Sequence, residues 1–130
     1  HATMPTDSLK VFRDTLSETR EFGFSTAFDA QWKLGKSVRK SLKNWGIKSV
    51  AADGFGAPGV VVSYTDSSDI QNGSRFKELG FQIAAGVPLK CDEPPEFSTF
   101  RLGLFGLDKL KNIESTLLTL DQAFEQIFTP

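Results

Sequence analysis

A chain of 130 residues is long enough for one domain that buries about two-thirds of its unfolded surface, and 39% hydrophobic with 24% charged residues excludes a disordered polymer. Fifteen basic against sixteen acidic residues leave a net charge of -1, which excludes a global field that would recruit nucleic acid or an anionic membrane. The single cysteine, Cys91, excludes an intramolecular disulfide.

With no charged-then-apolar leader and no long apolar run, the expected compartment is the cytoplasm. Position 1 is histidine and almost nothing precedes the first helix signal, so a piece of a longer chain is expected. Pro5 suits a first helical position, Asp7 favours a helix start, and Leu9, Phe12 and Leu16 recur at helical spacing until Gly23. That spacing predicts a helix over 5–22. Ser25 is placed to cap a second helix whose apolar stripe reads Phe28, Trp32, Val38, Leu42 and Trp45, ended by Gly46. Its basic run, Lys36, Arg39, Lys40 and Lys43, reads as a solvated face whose cations complement the helix C-terminus.

Two β-rich runs, Ile47 to Ala51 and Val60 to Tyr64, flank a glycine-rich loop and are expected to pair as a hairpin. The loop, Gly54-Phe-Gly-Ala-Pro-Gly59, matches the dinucleotide-binding glycine pattern literally, but a strand follows it where that site needs a helix. Ser68 or Asp69 is expected to cap a helix carrying Ile70, Phe76 and Leu79, weakened by Gly73 and stopped by Gly80. A short strand, Phe81 to Ala84, and a proline-bearing loop, Gly86 to Pro95, come next. A final helix capped at Asp108 or Asn112 carries Ile113, Leu117, Leu120, Phe124 and Phe128. The expected class is α+β, a two-layer α/β arrangement of one domain over 1–130, with a small mixed or antiparallel sheet and helices packed on one face.

Before that last helix runs Phe97-Ser-Thr-Phe-Arg-Leu-Gly-Leu-Phe-Gly106. Strand alternation puts Phe100, Leu102 and Leu104 on one face and Thr99, Arg101 and Gly103 on the other. An arginine between small neighbours is suited to a carboxylate, because its planar fork of donors matches two carboxylate oxygens. The competing reading is a solvated edge-strand arginine. Thr3, ahead of Pro5, is either a plain capping threonine or a hydroxyl at a phosphate-binding helix mouth. His1 and Cys91 with Asp92, Glu93 and Glu96 lack a diagnostic metal spacing, so no metal is expected. The flanking carboxylates should raise the Cys91 thiol pKa and oppose thiolate chemistry.

His1-Ala-Thr-Met-Pro-Thr-Asp-Ser-Leu9, Gln82-Ile-Ala-Ala-Gly-Val-Pro-Leu89 and Thr99-Phe-Arg-Leu-Gly-Leu-Phe-Gly-Leu-Asp108 resemble the carboxyl-terminal part of class V, pyridoxal-phosphate-dependent aminotransferases of the alanine/serine-glyoxylate type. The resemblance implies a fold type I homodimer in which a large domain holds pyridoxal 5'-phosphate and a small carboxyl-terminal domain closes over it. By position, Arg101 matches the arginine that binds the substrate α-carboxylate, and Thr3 a residue that bonds the cofactor phosphate of the neighbouring subunit. The tyrosine that usually precedes the His-x-Thr segment is not in this sequence. The Schiff-base lysine, the carboxylate beside the pyridine nitrogen and the stacked aromatic belong to the large domain. The resemblance therefore implies a fragment with no catalytic residue of its own, expected neither to hold the cofactor firmly nor to transaminate. Amino acid and keto acid would be its substrates in the longer enzyme. Three alternatives stand beside it: a free-standing α+β module for anion binding or dimerisation; a cysteine desulfurase with Cys91 as sulfur acceptor, which the acidic flanks oppose; and, weakest because the total charge is near neutral, a nucleic-acid-binding role resting only on the basic side of the second helix.

Overall fold

The computed structural model describes residues 4–129. In chain order the elements are α1 (Thr6–Phe22), α2 (Phe24–Asn44), β1 (Val60–Tyr64), α3 (Ser68–Gln71), α4 (Ser74–Glu78), β2 (Ala84–Ala85), β3 (Thr99–Gly103), α5 (Leu107–Lys111) and α6 (Ile113–Phe128). Gly23, at φ +96°, separates the first two helices by one residue. Because α2 begins directly after it, Ser25 falls inside the first turn and caps nothing. The buried line of α2 is Leu34, Gly35, Val38 and Leu42, while Phe28 stands 63% exposed, which corrects the predicted stripe. The cause is tertiary: a Cβ at position 35 would overlap the Pro58 backbone, so the glycine lets the loop before β1 lie flat on the helix and selects the face that turns inward.

The sheet is antiparallel throughout, in the order β1-β3-β2, and the fold is α+β as expected. The 47–51 run is no regular strand. It meets β1 through one bridge, Ser49 to Ser63, supported by Val50 N–H to the Val62 carbonyl (3.0 Å) and Tyr64 N–H to the Lys48 carbonyl (2.9 Å). The main partner of β1 is β3, with Val62 opposite Arg101, thirty-nine residues downstream. The predicted 81–84 strand shrinks to Ala84–Ala85, because Phe81 N–H closes the preceding helical turn on the Phe76 carbonyl (2.9 Å). Gly73, in the left-handed region, divides the predicted single helix into α3 and α4, and Ser67, not Ser68 or Asp69, accepts the capping bond from Ile70 N–H. Asp108 lies within α5, and Asn112 kinks the chain into α6 without a side-chain cap.

Val61, Phe100 and Leu102 project from one side of the sheet onto Leu34, Val38 and Leu42 of α2, Phe76 of α4 and Phe124 of α6. Three phenylalanine rings meet at the centre, Phe76 to Phe100 at 5.7 Å and Phe76 to Phe124 at 6.5 Å. The opposite side, formed by Val60, Val62, Tyr64, Ala84, Thr99, Arg101 and Gly103, is half-buried or exposed except at Thr99, which is buried. Helix α1 stands off this body. Leu9, Phe12 and Leu16 form a stripe that no described residue covers, and only its last turns are tied down, by Lys111 Nζ on Glu18 (2.9 Å) and over the Phe22 ring. An isolated helix of this length is marginal in water, so the stripe is a surface that needs a neighbour.

Candidate functional site

Arg101 occupies the middle of the central strand, paired to Val62 on one side and Ala84 on the other, on the side of the sheet that carries no helices. Alternation places it there: Phe100 and Leu102 are drawn into the core, so the residue between them must face away. The side chain is half-buried, and its Nε donates to the Ala85 carbonyl oxygen at 2.9 Å. Among the described residues no carboxylate pairs with the guanidinium and no second hydrogen bond engages it. Its terminal nitrogens are thus available to an anion, and the predicted display of an arginine on a strand face is what is observed.

The predicted room on both flanks is found on one only. Thr99 is buried, because Gly86 lies so close to it that a Cβ at position 86 would overlap the Thr99 carbonyl, whereas Gly103 is exposed. A concavity of about 400 Å³ touches Gly103 but is not lined by Arg101; its walls are Ile83, the core-facing Leu102 and Leu104, and Lys109 and Thr116 of α5 and α6. A second of about 340 Å³ lies beyond Thr99, walled by Asp66, Ser68, Gln71 and Phe97. Thr3 and His1 lie outside the described residues.

Pyridoxal phosphate does not fit the residues around Arg101. A pyridine ring needs a stacked aromatic, a carboxylate for its nitrogen and an amine for its aldehyde, and the strand positions of this face carry neither lysine nor carboxylate. The one aromatic there, Tyr64, already packs edge-on against Phe97 at 5.6 Å.

The glycine loop 54–59 has a mechanical role. Arg39 crosses from α2 to donate to Ser49 Oγ (3.1 Å) and to the Ala57 and Val60 carbonyls (both 3.0 Å), and burial lowers its pKa below the ordinary value. Arg39 therefore leaves the solvated basic face that the sequence predicts; Lys36, Lys40 and Lys43 remain exposed. Gln31 Nε2 ties the same loop to the residue that follows β3 by donating to the Pro58 and Leu104 carbonyls. Neither clamp has a local signature, since each links residues far apart in sequence.

Cys91 is exposed in the 86–98 loop. Its thiol pKa is raised, first by desolvation and then by the hydrogen bond and charge of Glu93. Glu93 itself accepts from the Lys90 and Cys91 amides (2.8 and 2.7 Å), which hold its pKa down to about 2. A depressed carboxylate stabilises the folded loop above the ordinary glutamate range, and that contribution is lost as pH falls toward 2. Glu93→Gln should therefore bring the thiol back toward its ordinary value and speed alkylation of Cys91 by iodoacetamide at neutral pH by about two- to fivefold. An unchanged rate would show that Glu93 does not govern the thiol. Among the described residues no group of three His, Cys, Asp or Glu side chains is placed to hold a metal, and no helix is long and apolar enough to cross a membrane.

No family model matches the chain. No curated protein matches it. Among solved structures, it is similar to ureidoglycine-glyoxylate aminotransferase from Bacillus subtilis, with a TM-score of 0.68 and 20% sequence identity over 97% of this chain. The chain spans about a third of that protein's length, 32%. The likeness shows the fold: a small antiparallel sheet with helices that recurs as one part of an aminotransferase.

Proposed function

We propose that residues 1–130 are the small carboxyl-terminal domain of a class V, pyridoxal-phosphate-dependent aminotransferase, and that Arg101 receives the α-carboxylate of the amino acid. The observation that carries this reading is a half-buried guanidinium with its Nε held on Ala85 and no carboxylate partner among the described residues, displayed on the side of the sheet opposite the core, in a fold that recurs in an aminotransferase. The large domain, in this reading, brings the cofactor that would labilise the substrate's Cα bonds. Residues of this chain do not fit that group, so the chain alone is inactive and takes the role of an anchor. Arg101 binds a carboxylate by two parallel charge-assisted hydrogen bonds, which fixes both the position and the plane of the substrate. Serine or alanine as donor and glyoxylate as acceptor are small enough to be held by that one grip.

The apolar stripe of α1 supports the same reading, since Leu9, Phe12 and Leu16 offer a seat for the large domain of the same protein. The assembled enzyme is proposed to be a cytoplasmic homodimer, with Thr3 meeting the cofactor phosphate of the neighbouring subunit.

The test is Arg101→Lys in the protein carrying both domains. A lysine keeps the charge but loses the planar fork, so KM for the amino acid should rise by about ten- to a hundredfold and turnover should slow, with cofactor absorbance intact. Unchanged kinetics would remove Arg101 from the site.

A further inference from the structure

We propose that Gln71 is a positioning residue for Arg101, acting through Gly86 and the Ala85 carbonyl. The proposal rests on Arg101 as the carboxylate anchor and adds what aims it. The acceptor of Arg101 Nε belongs to β2, a strand of only two residues, paired to β3 at Ala84 opposite Arg101 and Ala85 opposite Phe100. So short an edge has little pairing of its own, and it leads directly into the long irregular loop that ends at β3. Something else must hold it.

Gln71, the last residue of α3, grips the next residue by both of its backbone polar groups. Gly86 N–H donates to the Gln71 carbonyl at 3.1 Å, and Gln71 Nε2 donates to the Gly86 carbonyl at 3.0 Å. The reciprocal pair pins Gly86 flat against Thr99, an approach that only a residue without Cβ permits. Helix α3 is itself anchored by buried Ile70 and its Ser67 cap, so the grip is tied to the core. The consequence is chemical. A guanidinium can take a carboxylate side-on, through Nε and one terminal nitrogen, or end-on, through both terminal nitrogens. With Nε engaged by Ala85, the end-on mode is the one left, and the plane of the bound carboxylate is set by the position of β2.

The experiment uses the 15N-labelled chain. The Arg101 Nε–H resonance, assigned by its loss in Arg101→Lys, is followed for solvent exchange and during titration with acetate. In the wild type, Nε–H should be protected and acetate should shift the guanidinium signals saturably. Gln71→Leu, checked for a folded amide spectrum, should speed Nε–H exchange by about five- to tenfold and weaken the acetate response. Gln71→Glu, which keeps the shape but loses the donor when ionised, should do the same and serves if the leucine variant fails to fold. Gln71→Lys, which restores an N–H donor, should recover protection. Unchanged exchange in a folded Gln71→Leu or Gln71→Glu, with acetate still bound, overturns the positioning role and leaves Arg101 as the anchor. No saturable acetate shift in the wild type overturns the anchor, and the positioning role with it.

Discussion

Phe100→Ala should destabilise the chain by about 3–5 kcal/mol, read as a large drop in the urea midpoint of the far-UV circular dichroism transition. Phe100 is fully buried on the central strand, 5.7 Å from the Phe76 ring and 6.4 Å from that of Phe128. Removing it deletes the apolar surface that joins β3 to both α4 and α6, and the neighbours cannot close the gap because β3 is held by strands on both sides. A domain of this size has only about 5–15 kcal/mol in total, so roughly a fifth or more of its stability is at stake. Phe55, 83% exposed in the glycine loop, provides the control: Phe55→Ala should stay within about 0.5 kcal/mol of the wild type. Equal losses at the two positions would show that stability does not reside in the ring cluster.

Arg39→Met should cost about 2–3 kcal/mol and open the 54–59 loop to proteolysis. Methionine keeps an unbranched apolar stem against α2 but leaves the Ala57 and Val60 carbonyls and Ser49 Oγ without the donors that now join them. Arg39→Lys should rescue little, since one ammonium cannot span acceptors that a planar fork reaches together. Limited proteolysis of both variants, with urea unfolding alongside, reads the two effects separately. Loss of stability without new cleavage near the loop would show that Arg39 supports α2 and not the segment after it.

Arg101 was legible from the alternation of β3, because a strand with Phe100 and Leu102 in the core has no choice about the residue between them. What holds its Nε was not: Ala85 is sixteen residues away and acts through a backbone carbonyl, which no residue type announces. Arg39 shows the same limit from the other side. Its place in a basic run reads as solvent-facing, and only the return of the chain at Ala57 and Val60 turns it into a clamp.

By itself the amino-acid order determined where helices end, at Gly23, Gly46 and Gly80, and which side of β3 is apolar, because positive φ and strand alternation are local properties, whereas the split at Gly73 was not read from it. The tertiary structure decided the rest. It chose β3 over the 47–51 run as the main partner of β1, cut β2 to two residues, and shifted the inward face of α2 onto Leu34 and Gly35. Those outcomes depend on which distant surfaces fit one another, as the contact of Gly35 with Pro58 shows, and the energy of that fit exists only when both are present.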